Sequence, residues 1–352
     1  MKASHLSLLA VILICLVGIY LYQQRPKEVK PSEIYTRISP RISLDKLVGI
    51  KAWKASSAKE QESSAETSLN LTKKDHSWWV EVEREKVKFL APAKLSRIKR
   101  LTTSLSELKG EKRASGAEIL DTFSLKEDQA LHLVLKSTGS ILLNLLIGKR
   151  GPQWDSCFVR KEDSDHVYLV SKNLLSLFDI WDETAKACPE ARPWVDLSVV
   201  TQGPMEIEGL SYSKGAKQWS LVTENTKTSP EGMQKSKEGE KDKDEREKQE
   251  VKWILIKNGK KKALAEKDVA AFLTRLFPLR ALDVAPPQKA SNYGLGAEND
   301  YGRFTIHLKS KGLKIIHTGR LDKKKDRGWI RDERGVIFEV SGNIISGISE
   351  GP

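Results

Sequence analysis

The chain is poor in sulfur and in every arrangement from which active sites are usually built. Its three cysteines include Cys15, which sits inside an apolar run, so a disulfide-dense scaffold is excluded. No Cys-x-x-Cys and no Cys/His grouping marks a metal site, and no pair of the six histidines has the helical spacing that a zinc site with its glutamate needs. A G-x-S-x-G elbow, a phosphate-binding P-loop and a dinucleotide fingerprint are all missing. Asp163 and Asp165 stand close together, but in a polar turn, where carboxylates are usually solvated. The sequence therefore names no catalytic, cofactor-binding or metal residue and reads as a non-enzyme. A hydrolase whose site assembles from distant residues is the enzymatic alternative.

Charge is the next absence. Between Lys2 and Arg25 there is no Lys, Arg, Asp or Glu, and Leu6 to Tyr22 is almost wholly apolar. That is about the ~17 residues at the lower limit for crossing a bilayer. The stretch that follows offers no small-residue cleavage site, which favours an uncleaved anchor over a signal peptide. Cys15 follows Ile14, where lipid modification would want a small residue, so it reads as part of the apolar span. Arg25, Lys27 and Lys30 outweigh Lys2 and would hold the trailing part in the cytoplasm, yet a long trailing domain can translocate regardless of such charges. Charge alone leaves the side open.

What is present, above all, is repetition. "LKSTG" at 135–139 returns as "LKSKG" at 308–312, and the flanks agree. Trp79 and Trp253 stand equally far before Leu95 and Val269. Leu95, Ile98, Leu101, Leu105 and Leu108 form one helical stripe; Val269, Phe272, Leu273, Leu276, Leu279 and Leu282 form the other. Phe123-Ser124-Leu125 answers Tyr293-Gly294-Leu295, Gly148 answers Gly319, and Gly49 answers Gly209. "CFVRK" meets "WIRDE", with Trp329 near the Cys157 position, and "VYLVS" meets "IFEVS". Each copy reads as three strands, a helix and a four-stranded meander. Leu131, Leu133 and Leu135 face one way and His132 and Val134 the other, with Thr138-Gly139 and Lys311-Gly312 as hairpin turns. His132 and His307 fall at half-exposed sheet positions, and the tryptophans Trp78, Trp79, Trp219 and Trp253 are expected in the core, with Trp79 and Trp253 equivalent. Trp181 and Trp194 are expected to pack the joint between copies.

The fold class is thus α+β: an N-terminal transmembrane helix followed by two tandem copies of a mostly antiparallel sheet-plus-helix domain. Residues 1–31 form the anchor and its flank. Residues 32–199 form the first copy, with a disordered polar loop at 54–67, and 200–352 the second, with a disordered charged loop at 224–250. Cys157 and Cys188 form an even pair that is either bridged, as in exported domains, or two unrelated residues. The net charge of +13 comes with clusters at Lys257, Lys260, Lys261 and Lys262 and at Lys323, Lys324, Lys325 and Arg327. These read as solvated turns. No nucleic-acid motif accompanies them, so a basic anchored chain would sooner meet phospholipid headgroups or an anionic envelope polymer.

Trp79, "FSL" at 123–125, "LLIGKR" at 145–150 and "VYLVS" at 167–171, with Trp253, "NYGL" at 292–295, "TGR" at 318–320 and "IFEVS" at 337–341, resemble a bacterial membrane-anchored family of tandem domains of unknown function. Its members are commonly encoded beside ABC-type transport genes of the gliding-motility kind. Ser124 departs from the glycine usual at its position. The resemblance implies a single-pass protein of the inner (cytoplasmic) membrane with its C-terminal domains on the periplasmic or extracellular side, bound to protein partners in an envelope transporter complex. It supplies no catalytic residues; no cofactor and no nucleic-acid partner is expected, and a small-molecule ligand is left undefined. An envelope-polymer or anionic-lipid binding module is the alternative.

Overall fold

The computed structural model describes residues 35–55, 68–225, 251–298 and 300–352. The expected span over 6–22 lies outside them, as do most of both polar loops. Lys54 still belongs to a strand, as do Glu224 and Asn225, so the strands run further than the loop boundaries expected from composition. Among the described residues no helix is long and apolar enough to cross a membrane.

The architecture is mostly antiparallel β with few helices, in two large sheets. In chain order the elements are β1 (Tyr35–Arg37), β2 (Leu47–Lys54), β3 (Ser68–Lys74), β4 (Ser77–Arg84), β5 (Val87–Pro92), α1 (Leu95–Ser106), β6 (Lys109–Ser115), β7 (Leu131–Ser137), β8 (Ser140–Arg150), β9 (Cys157–Lys161) and β10 (His166–Val170). They continue with β11 (Ser198–Val200), β12 (Ile207–Lys214), β13 (Lys217–Asn225), β14 (Val251–Lys257), β15 (Lys260–Leu264), α2 (Glu266–Leu276), β16 (Leu279–Arg280), β17 (Asp283–Ala285), β18 (Gly302–Leu308), β19 (Leu313–Asp322), β20 (Arg327–Arg331), β21 (Ile337–Ser341) and α3 (Gly342–Glu350). Five strands rather than three precede α1, and five again, β11–β15, precede α2 in the second copy. The additions are the short β1 and β11 and the hairpin strands β5 and β15.

Contacts divide the chain into two compact units, one holding the residues up to Ser68 with Ile98–Pro189, the other holding Leu69–Arg97 with Glu190–Pro352. In the first, the strands run β1-β6-β10-β9-β8-β7-β2. In the second, nine strands run β15-β14-β13-β12-β18-β19-β20-β21-β17, and β3-β4-β5 form an antiparallel set. The order β6-β10-β9-β8-β7-β2 is that of β17-β21-β20-β19-β18-β12, and β3-β4-β5 is that of β13-β14-β15.

The local packing agrees as closely. Gly148 on β8 and Gly319 on β19 each leave room for a backbone carbonyl: a Cβ would lie 2.2 Å from the oxygen of Phe123 in one and of Tyr293 in the other. Over this contact Phe123 meets Phe158 with ring centroids 4.6 Å apart, and Tyr293 meets Trp329 at 5.2 Å. Trp329 thus takes the place of Phe158, not of Cys157. Arg160 donates to the Leu125 carbonyl at 2.8 Å, and Arg331 to the Leu295 carbonyl at 3.0 Å. Ser124 adopts a left-handed φ of 55°, close to the 68° of Gly294, so the departure from glycine leaves the turn intact.

Other expectations need correction. The β4–β5 turn places Glu85 and Lys86 at positive φ, as the β14–β15 turn does Asn258 and Gly259. Counting back from these turns sets Val80, not Trp79, against Trp253. One residue of slip exchanges the faces of a strand. Trp78 is accordingly buried and Trp79 half-exposed, whereas Trp219 and Trp253 are buried. Trp194 is buried, but Trp181 is 59% exposed. On β18 the alternation holds and His307 is exposed, yet every residue of β7 from Leu131 to Leu135 is buried, His132 included. The reason lies in the segment between β6 and β7. His132 hydrogen-bonds the Glu127 carbonyl, and Leu146, its cross-strand partner on β8, packs with Leu120, Leu125 and Ala130, so residues 117–130 cover this second face.

The helical stripes begin and end inside the expected ones: Leu95 and Leu282 are exposed, and α2 stops at Leu276, two residues before Pro278. In the second copy the positive φ of the hairpin belongs to Lys311, whereas Gly139 carries it in the first. The C-terminal α3 had no counterpart in the sequence reading. Ser341 caps it by accepting from Asn343 N–H, and the indole N–H of Trp219 donates to the Ile348 carbonyl at 3.0 Å.

Candidate functional site

The two cysteines are not joined. Cys157 is buried and donates to the Lys172 carbonyl at 3.2 Å, and burial pushes its thiol up to about 12, so it stays protonated and inert. Cys188 sits instead against the backbone of Lys54. The histidines are equally scattered. His132 stacks on Trp53 at 4.9 Å and hydrogen-bonds the Glu127 carbonyl; His166 meets Ser115; His317 packs against Tyr301, its pKa lowered by burial and by Arg331 and Arg303. Among the described residues no three His, Cys, Asp or Glu side chains come together as a metal site.

One buried carboxylate stands out in the second unit. Glu339 on β21 is almost wholly buried and is held by Arg84 at 2.6 Å and by Arg327. Arg84 also donates to the Val284 carbonyl at 2.7 Å. Burial opposes the Arg84 charge, but the hydrogen bond and attraction of Glu339, with Asp283 beside it, outweigh this and raise its pKa. Beside it Lys289 meets Glu85 at 2.7 Å and lowers that carboxyl. Both oxygens of the Glu339 carboxylate are taken up by guanidiniums, Oε2 by Arg84 and Oε1 by Arg327. The cluster is a fastening for the β4–β5 hairpin, and nothing in the local sequence announces it, because Arg84 and Glu339 meet only through the fold.

The feature suited to binding is a pair of grooves. The first, about 310 Å³, is lined by Ile38 and Pro40, by Ile141–Asn144 of β8, and by Lys161–Asp163 at the end of β9 and just beyond it. The second, about 290 Å³, is lined by Ser198–Thr201, by Lys314–Ile316 of β19, and by Asp332–Arg334 after β20. They correspond: Leu143 and Lys161 stand from Lys314 and Asp332 by the same interval as Gly148 from Gly319, and Ile38 from Ser198 as Gly49 from Gly209.

Each groove exists because a strand outruns its neighbour. β8 pairs with β7 from Ser140, but β9 reaches it only at Leu145; β19 pairs with β18 from Leu313, but β20 reaches it only at His317. The first residues of β8 and β19 therefore present a backbone edge without a strand on that side. In both copies a glutamate two residues after the clasping arginine occupies the edge. Glu333 accepts the Ile315 N–H at 2.7 Å, and Glu162 accepts from the Asn144 side chain while its own N–H approaches the Asn144 carbonyl at 3.4 Å. The arrangement offers a strand edge, held here by the two glutamates, beside a mixed lining of Ile, Leu, Val and charged side chains, a setting in which an extended peptide can replace the glutamates. Glu162 and Glu333 escaped the sequence reading, because setting "CFVRK" against "WIRDE" from the first letter leaves Arg160 and Arg331 one residue out of step.

Residues 86–298, more than half the chain, match the family described as domain of unknown function DUF4340. No curated protein and no solved structure matches the chain. The matched stretch runs from the β4–β5 turn past the Tyr293-Gly294-Leu295 turn, and so includes the Phe123 clasp, Gly148 and most of the first groove. By that match the chain belongs to the DUF4340 family of domains of unknown function.

Proposed function

We propose that the chain is a non-catalytic, membrane-anchored envelope accessory protein. In this reading the apolar run at 6–22 holds it in the inner membrane as a single-pass protein. Two tandem copies of one domain stand on the periplasmic or extracellular side and serve an ABC-type transport or gliding-type system. The observation that carries the reading is the groove made twice, at equivalent positions, beside a strand edge. A catalytic site needs only one good copy, whereas two shallow edge-lined grooves suit recognition of protein segments.

A second reading, binding of an anionic envelope polymer or lipid, is favoured by β15. It is the outermost strand of its sheet, and Lys260, Lys261 and Lys262 on it are all exposed. Affinity purification from detergent-solubilised membranes separates the two. Recovery of transporter subunits with the chain is the expected outcome. Recovery of the chain alone, together with saturable binding to an anionic polysaccharide or anionic vesicles, would replace the first reading by the second.

A further inference from the structure

Two of the most exposed large apolar side chains, Trp154 at 68% and Trp181 at 59%, belong to one loop cluster of the first unit. Trp154 is in the loop between β8 and β9, and Trp181 is on the segment after β10. Two hydrogen bonds tie these loops together: Arg150 N–H to the Glu183 carbonyl at 2.8 Å, and the Asn173 amide to the Trp154 carbonyl at 3.3 Å. The Arg150 guanidinium lies 4.3 Å from the Trp154 ring centroid and holds it. The second copy has nothing similar, because its β19–β20 turn reads Lys323-Lys324-Lys325-Asp326.

The position of the cluster says what can cover it. A row of paired residues crosses the sheet from Arg150 to Cys157, Val170, Gly110 and Thr36. Four strand spacings of about 4.8 Å put Thr36 roughly 19 Å from Arg150. Residues 23–34, which separate the apolar run from β1, span at most roughly 40 Å. A bilayer holding the run is therefore within reach of the two indoles. Charge around them is mixed, with Asp155 and Glu183 beside Arg150 and with Asp182 paired to Lys186, so no anionic partner is selected. An indole has an apolar body and one N–H, and favours the boundary between headgroups and acyl chains.

We propose that the Trp154–Arg150–Trp181 cluster is a bilayer-interface face that seats the first unit on phospholipid of the membrane holding its anchor; the proposal rests on the anchored reading above. The test uses the full chain and its Trp154→Phe/Trp181→Phe variant, each reconstituted into phosphatidylcholine vesicles carrying lipid brominated near the headgroup. Brominated lipid is expected to quench the native chain, with the quenching roughly halved or more in the variant because these two indoles alone reach the interface. Equal quenching of both chains, or none of either, overturns the face. Alkaline extraction reads the anchor separately. A chain washed off the vesicles whose quenching still depends on the two tryptophans keeps the face and overturns the anchor. A chain that stays embedded with variant-independent quenching does the reverse.

Discussion

Alanine at Gly319 is expected to cost about 3 kcal/mol of stability, and alanine at Gly148 a similar amount, the upper range for forcing a methyl into packed structure. At either position the new Cβ would stand 2.2 Å from a backbone oxygen, of Tyr293 or of Phe123. The oxygen belongs to a turn that cannot retreat. In the first copy Leu125, whose carbonyl Arg160 holds, is wholly buried, and in the second Leu295 and Arg331 repeat the arrangement. Denaturant midpoints of the detergent-solubilised variants measure the effect. A change within about 0.5 kcal/mol, as at ordinary surface sites, would show that the clasp is loose.

Truncating Trp253 or Trp78 to alanine is expected to cost roughly 3 to 5 kcal/mol, as for other buried large aromatics. Trp79→Ala is expected to cost far less, roughly 1 kcal/mol or under, because Trp79 lies on the half-exposed face of β4. The contrast between two adjacent tryptophans tests the register directly. If Trp79→Ala were the more damaging of the two, the β4–β5 turn would have been placed one residue out. Melting curves of the three variants under one set of conditions decide it.

That register shows where sequence reasoning runs out. The helices were legible because Ile98, Leu101 and Leu105, and Val269, Phe272 and Leu276, recur at a spacing only a helix serves. The repeated Gly148 and Gly319 were legible as a match, though not as a steric requirement. Equal spacing from Trp to helix suggested that Trp79 and Trp253 were equivalent, but hairpin register is counted from the turn, and the connections from β5 to α1 and from β15 to α2 differ in length. The short α3 was missed because its isoleucines and glycines favour no helix, and its Ser341 cap and the Trp219 bond supply what propensity does not. β7 misled because alternation reports a half-buried strand only where nothing covers the other face. The grooves could not be read at all, since they depend on where β9 and β20 stop relative to β8 and β19.

The central claim is that the chain acts by binding a partner at these grooves. A photo-crosslinking residue placed at Ile141 in the first groove or Lys314 in the second, with one at the highly exposed Met205 as control, tests it in intact membranes. A discrete covalent adduct with another membrane or envelope protein is predicted from each groove position and not from Met205. Adducts from Met205 as abundant as those from the grooves, or none from either groove, would contradict the account.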